Sequence, residues 1–318
     1  MKTIAPRAFN TLTIDATAGT ITKRSKNIDK FVDEIRYISL IPQDISLFFP
    51  RVIESSTDAS DPFITMEYYG YPTLAELYVR ENLDVAAWYS IFSHLDSVLV
   101  NSFGSYRAEV SGEDVKEMYV GKLHKRLQSM RSMEYLRKIV DVDTVTLNGR
   151  RLDNLPVLWD SIESEVVKMS NNVVGSLIHG DFCFSNILYD VDSHICRFID
   201  PRGSFGSLSP SAAGDLRYDI AKLWHSVDGM YDFITADKFT LSVDSDASVE
   251  MTIASGAKSL AISDVFSDVF FSTWNRREIE IICGLMLCSI PALHYDHPKR
   301  QVAIYVRGLQ LLNGGLNS

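Results

Sequence analysis

Cysteine is scarce in this chain of 318 residues. The four present, Cys183, Cys196, Cys283 and Cys288, form no CxxC pair and have no histidine at ligand spacing. That excludes a zinc site and a disulfide framework, and it predicts reduced core thiols in a cytoplasmic protein. An excess of basic residues is missing too. Lys and Arg number 31 against 41 Asp and Glu, a formal charge of −10. Non-specific nucleic-acid binding needs basic patches that release counterions, so no nucleic-acid partner is expected. Long apolar runs are also absent. The longest, residues 281–293, is broken by Ser289 and Pro291 and falls short of the ~18 residues of a membrane span. It reads as a buried helix. Residues 1–11 lack the apolar core of a signal peptide, and no internal repeat, low-complexity tract or charged tail is present.

What is there is ordinary globular composition, 46% hydrophobic and 23% charged residues, in a length that suits two lobes. Near the start, residues 11–16 and 20–25 are β-branched runs joined by Thr17-Ala18-Gly19, a strand-turn-strand pattern. Asn27 is placed to cap a helix over 28–40, with Phe31, Ile35 and Ile38 at helical spacing. Glu34 falls on that apolar side, and a buried carboxylate needs a partner. Lys23, which shares a strand face with Ile21, is the first choice. Arg24 or Lys26, or an ordinary surface pair, are the alternatives. Two further strands (49–54 and 62–69) lead through Glu67, Tyr68 and Tyr69 to Gly70, with Thr73 capping a helix over 74–79.

The residues from Gly175 to Gly203 carry the chemistry. Leu177-Ile178 runs into His179-Gly180-Asp181, and Asn186 follows five residues after that Asp. Residues 187–189 and 195–199 are short strand-forming runs separated by the polar stretch 190–194, which predicts a β-hairpin. A hairpin brings its open ends together, so Asn186 and Asp200 face one another. One amide and one carboxylate oxygen there suit Mg²⁺, which also takes substrate phosphates as ligands. Asp181 then stands beside the metal as base or orienter.

A loop Asp, an Asn ligand, and a second Asp after a hairpin form the phosphoryl-transfer arrangement of kinases. With Gly180 between His179 and Asp181, and Ile199-Asp200 in place of Asp-Phe-Gly, the stretch resembles the aminoglycoside phosphotransferase and choline kinase-like family. The resemblance implies an α+β, bilobal, protein-kinase-like fold: a small, reduced β-rich lobe (1–69) and a large, mainly helical lobe (70–318). It implies Mg²⁺-dependent transfer of a nucleoside triphosphate's γ-phosphoryl group to the hydroxyl of a small molecule such as a sugar, amino alcohol or aminoglycoside. Asp181 would act on the hydroxyl, Asn186 and Asp200 would hold Mg²⁺, and Lys23, oriented by Glu34, would grip the phosphates. The hinge at Glu67 to Tyr69 would meet the adenine, and Asp219 would brace the catalytic loop from below. Arg202 has two readings, contact with phosphate or an anionic substrate, or a structural pairing with Asp215 or Asp219. The turn at 17–19 has one glycine where kinases place a Gly-rich loop. That leaves ATP against GTP open, and keeps a nucleotide-binding pseudokinase, or a macromolecular acceptor, as alternatives.

The rest of the large lobe reads as helices over 84–100, 113–131, 160–171, 276–289 and 299–312. The cluster Lys122, His124, Lys125 and Arg126 reads as a solvated face. Residues 145–159 carry turn signals, and 238–254 a second hairpin around 244–246, either shaping the acceptor site or decorating the surface. His294 and His297 read as loop residues and not as metal ligands.

Overall fold

The computed structural model describes residues 10–317 apart from 245. The reading of the extreme N-terminus, and Ser245 of the expected 244–246 turn, lie outside the described residues. Four antiparallel strands open the chain: β1 (Asn10–Asp15), β2 (Thr20–Ser25), β3 (Val52–Ser56) and β4 (Phe63–Glu67), in the spatial order β1-β2-β4-β3. The helix α1 (Ile28–Leu40) lies against this sheet and buries Phe31 and Ile35 on Ile64. Asn27 occupies the helix entry, but its side chain makes no capping bond. A short α2 (Gln43–Ser46) follows.

Beyond the sheet, α3 (Leu74–Val79) starts with a full capping box. Thr73 Oγ1 accepts from the Glu76 N–H, and the Thr73 N–H donates to the Glu76 carboxylate. Two long helical stretches come next. In the first, α4 (Val85–Ser97) is capped by Asp84 and runs into a π-turn at 98–102. In the second, α5 (Gly112–Lys116) passes through a π-turn at 117–121 into α6 (Lys122–Met130). Their apolar faces join one large core around Trp88, Phe92, Phe184, Trp224 and Phe266.

Where turn signals stood alone, the structure has a hairpin, β5 (Thr144–Leu147) and β6 (Arg150–Asp153), turning at Asn148-Gly149. The following helix α7 (Leu155–Asn171) begins five residues before the expected start. Asn154 caps it, Oδ1 accepting from the Leu155 N–H. Pro156 sits in the first turn, where its missing N–H costs nothing.

The stretch from Gly175 forms β7 (Gly175–Leu177), then the hairpin β8 (Ile187–Asp190) and β9 (Ile195–Phe198). The strand β10 (Ala213–Asp215) pairs back on β7 and feeds α8 (Leu216–Val227) and α9 (Tyr231–Thr235). The hairpin at 238–254 is β11 (Phe239–Val243) and β12 (Ser248–Ile253). Far from being isolated, it joins β5–β6 in a four-stranded sheet through a parallel β12–β5 pairing. Asn148 stitches that junction, with its side chain bonded to both the N–H and the carbonyl of Met251. Three helices close the lobe: α10 (Ala257–Phe270), which the sequence pattern did not mark, α11 (Arg276–Ser289) and α12 (Pro298–Asn317). The architecture is α+β and bilobal, a small sheet-and-helix lobe beside a large helical one. Among the described residues no helix is long and apolar enough to cross a membrane, and all four cysteines are free and buried.

Candidate active site

The loop between β7 and β8 is held from beneath by α8. Asp219, fully buried, accepts the N–H groups of His179 (2.7 Å) and Gly180 (2.8 Å). Burial raises its pKa to about 7, against the opposing pull of those two N–H donors. Gly180 has φ +79°, and a Cβ there would meet Arg202 Cβ at 2.7 Å. The backbone therefore demands glycine at this position. His179 stacks on Phe49, rings 5.8 Å apart. Its Nδ1 accepts from the Asp181 N–H, and its Nε2–H donates to the Ile199 carbonyl at 3.0 Å. Burial lowers its pKa to about 4, so the imidazole is a neutral structural link between the Asp181 loop and the strand end that carries Asp200.

Across the cleft, β2 delivers Lys23 and α1 delivers Glu34. The Lys23 ammonium bonds both Glu34 oxygens, at 2.7 and 2.9 Å, and lies 2.8 Å from Asp200 Oδ1. Arg24 instead pairs with Asp61, and Lys26 is exposed. Burial opposes the Lys23 charge, but Asp200 and Glu34 together outweigh it and raise its pKa. Glu34 is pushed up to about 8 by burial, with the charge of Asp200 adding to it. Asp200 itself takes a left-handed backbone, φ +57°.

Asn186 sits at the mouth of the hairpin, its carbonyl accepting from the Ile199 N–H. Its amide nitrogen donates to the Asp181 carbonyl (2.9 Å) and to Asp181 Oδ2 (3.2 Å). The side-chain oxygen is thereby turned away from Asp181, and the Asp200 carboxylate is partly open to solvent. This pair of hard oxygen donors fits Mg²⁺. Among the described residues no three His, Cys, Asp or Glu side chains cluster for a metal. A cation here would take its other ligands from water and phosphate.

The hinge and the first turn offer fewer backbone donors than their positions suggested. The N–H groups of Glu67 and Tyr68 are bonded to the carbonyls of Arg51 and Gly19. Of the three expected hinge residues, only Tyr69 keeps a backbone N–H without a protein partner among the described residues. The Glu67 carboxylate accepts from Arg51 Nε and from the Tyr69 hydroxyl, both at 3.0 Å. In the turn, Asp15 Oδ1 accepts the N–H groups of Thr17 (2.9 Å) and Ala18 (3.0 Å). Those two donors are occupied by a carboxylate.

Arg202 pairs with neither Asp215 nor Asp219. It donates to the Tyr218 hydroxyl at 2.9 Å and lies over that ring. Asp215 caps α8 and is held by Arg217 and by the Tyr119 hydroxyl. The basic cluster at 122–126 is a solvated face only in part, with His124 and Lys125 exposed. His124 rests on Trp159, and Lys125 pairs with Glu117. Lys122 and Arg126 turn inward, Lys122 toward the Tyr218 ring and Arg126 onto Ser289 Oγ. Burial pulls the Lys122 pKa well below the usual lysine value, and the neighbouring cations Arg202, Arg126, Lys222 and Lys30 add to the effect. Lys222 was missed in the sequence. It lies one helical turn beyond Asp219 on α8, and its ammonium is 2.8 Å from Asp181 Oδ1. The i, i+3 spacing was the available signal.

No protein-family model matches the sequence, and no curated protein matches it. Solved structures do match its shape. A thermostable mutant of the aminoglycoside phosphotransferase APH(4)-Ia, in ternary complex with AMP-PNP and hygromycin B, superposes with a TM-score of 0.59 at 12% identity, covering 99% of this chain and 92% of that one. The choline kinase LicA from Streptococcus pneumoniae gives 0.55 at 14% identity, with the same coverage. The Plasmodium vivax ethanolamine kinase gives 0.53 at 13%, covering 99% and 81%. The chain has the kinase-like fold of the aminoglycoside phosphotransferases and choline kinases. In that kinase-like fold the Lys23–Glu34 pair belongs to the small lobe, and the Asp181 loop to the large one.

Proposed function

We propose that the protein is a small-molecule kinase, transferring the γ-phosphoryl group of ATP or GTP to an acceptor hydroxyl. One observation carries this reading. Lys23, buried, is gripped between Glu34 and Asp200 at the same cleft where Asp181 and Asn186 are hydrogen-bonded to each other. A scaffold has no chemical need for that constellation, whereas phosphoryl transfer needs each part. Two of the similar structures, mutants of APH(4)-Ia, were solved with AMP-PNP or ADP and hygromycin B, in keeping with a nucleotide and a small acceptor. In this reading the lobes divide near residues 69 and 70, with Tyr69 facing the base.

Lys23 positions the nucleotide's phosphates by charge. Asn186 and Asp200 would hold Mg²⁺, which when bound neutralises charge on the phosphates. Asp181 accepts the acceptor's hydroxyl proton or orients it, a contribution of roughly 10²–10⁴-fold in general-base catalysis. Lys222 fixes the Asp181 carboxylate, and His179 ties that loop to Asp200. A nucleotide-binding regulatory module is the second reading, favoured by Asp15 occupying the turn's N–H groups. Product formation from ATP or GTP across a panel of sugars, amino alcohols and aminoglycosides separates the two. The kinase reading expects turnover that is lost in Asp181→Asn, and loss of Mg²⁺-dependent nucleotide binding in Asp200→Ala. Nucleotide binding unchanged in Asp200→Ala would remove that residue from the metal role.

A further inference from the structure

An acidic chain has gathered its cations at one place. Lys122 and Arg126 from α6, Arg202 from the loop after Asp200, and Lys222 from α8 converge about Tyr218. Lys30 adds a further positive charge from α1 across the cleft. Arg202 lies over the Tyr218 ring at 5.9 Å and Lys122 approaches it at 6.0 Å. Tyr119 stacks behind Tyr218, with the rings nearly parallel and 6.2 Å apart. Lys222 is neutralised by Asp181. Lys122 and Arg126 have no such carboxylate ion pair among the described residues, and Arg202, favoured by the nearby charges of Asp181 and Asp219, donates to the Tyr218 hydroxyl. Arg126 uses one amino group on Ser289 at the end of α11, which anchors the guanidinium without neutralising it.

Like charges brought together in a partly desolvated cleft repel one another, and the arrangement is unfavourable until an anion enters. The cluster is not the nucleotide's phosphate grip. That role falls to Lys23, whose charge is already matched by Glu34 and Asp200. Instead, Arg202 bonds the Gly180 carbonyl and Lys222 bonds Asp181, which sets the cluster beside the atoms that would receive the acceptor hydroxyl. Cationic acceptors such as amino alcohols would meet repulsion there.

We propose that the acceptor is an anion, a hydroxy acid or phosphate monoester whose carboxylate or phosphate is held by Lys122, Arg126 and Arg202 beside Tyr218 while its hydroxyl reaches Asp181. This rests on the kinase reading for the hydroxyl's role but not for the anion site. The reaction balances in the usual way. The hydroxyl oxygen bonds to the γ-phosphorus, the bond to the β–γ bridging oxygen breaks, and the hydroxyl proton leaves to Asp181.

The test is binding first and turnover second. Thermal-shift titrations at constant ionic strength would use glycerol 3-phosphate, glycerate, glycerol and choline, with and without Mg²⁺–AMP-PNP. The proteins are the wild type, Lys122→Met, Lys122→Arg and Arg126→Met. The methionine variants keep side-chain bulk while removing charge. The expected result is that one or both anions bind the wild type at least roughly tenfold more tightly than glycerol or choline. That preference is lost in the methionine variants and restored in Lys122→Arg. The tighter of the two anions identifies the group as phosphate or carboxylate. Choline or glycerol binding as well as the anions, or anion binding unchanged in Lys122→Met, overturns the proposal. If anions bind through Lys122 but AMP-PNP does not bind, the kinase reading fails and the anion site stands. If AMP-PNP binds and no anion does, the anion site fails alone.

Discussion

Lys222 Nζ and Asp181 Oδ1 lie 2.8 Å apart, and both side chains are supplied by elements that Asp219 locks together. Burial opposes the charge on Lys222, but Asp181 outweighs it, so the ammonium is retained and its pKa raised. The cation fixes the rotamer of Asp181. Lys222→Met is expected to lower kcat by roughly 10–100-fold, a fraction of what a full general base contributes. Affinity for Mg²⁺–nucleotide should be unchanged, because Lys23, Asn186 and Asp200 are untouched. Lys222→Arg should recover part of the rate. Steady-state kinetics alongside nucleotide titration checks the split, and a loss confined to nucleotide affinity would contradict it.

Asp15 makes the opposite kind of prediction, a gain. Its carboxylate ties up the Thr17 and Ala18 N–H groups in the turn between β1 and β2. In the kinase reading that turn lies over the phosphates. Asp15→Ala removes a negative charge and releases two donors. The KM for ATP is expected to fall roughly threefold to tenfold, the scale of one modest charge-assisted hydrogen bond. A KM that rises would show that the turn's shape matters more than its donors.

The site was legible in sequence where its parts are close along the chain. His179, Asp181, Asn186 and Asp200 fall within one loop and one hairpin, whose geometry follows from local turn and strand chemistry. Lys23 and Glu34 were readable because strand and helix periodicities place both on inner faces. Lys122 and Arg126 were not. Their helix carries charge on most sides, and its inward face is set by packing of Tyr119 on Tyr218, a contact between distant segments. The β12–β5 pairing is likewise tertiary, joining strands around 147 and 249. Pro156 misled for a different reason: proline ends helices in general, but in the first turn it starts them.

Gly203 shows how closely the lobes are fitted. Its φ is +69°, and a Cβ there would lie 2.2 Å from the Asp33 carbonyl oxygen and 3.0 Å from the Glu34 nitrogen. The loop after Asp200 therefore touches the α1 backbone at the residue that orients Lys23. Gly149 is the natural control, with φ +74° but nothing within 4 Å of where a Cβ would stand. Gly149→Ala should cost only backbone strain, about 1 kcal/mol. Gly203→Ala should cost about 1–3 kcal/mol from overpacking in addition, and should raise the KM for ATP by moving Glu34 off Lys23. Denaturant unfolding and kinetics on the two variants separate strain from displacement. Equal losses in both would mean that α1 yields freely.

His179 predicts a pH dependence of stability. Its imidazole is fully buried between Phe49 and the Ile199 carbonyl, and burial holds its pKa near 4 against 6.5 for a free histidine. Between those two values the unfolded chain binds a proton that the folded protein refuses. Stability therefore rises with pH through that window, is fully present above about 6.5, and is lost as pH falls toward 4. The interval of about 2.5 pH units, at 1.36 kcal/mol each, is worth about 3 kcal/mol. Asp219 works in the opposite direction. Its pKa, raised to about 7 from 3.8, favours folding at low pH and withdraws that support as pH climbs. Glu34, raised to about 8, and Asp232, raised to about 6, act in the same direction as Asp219, so the His179 share is read by difference. His179→Asn should be less stable than wild type at neutral pH, and should lose less on acidification from 6.5 to 4, by about 3 kcal/mol. Chemical denaturation at half-unit pH steps measures it, and parallel profiles for the two proteins would mean that the buried ring accepts its proton without unfolding.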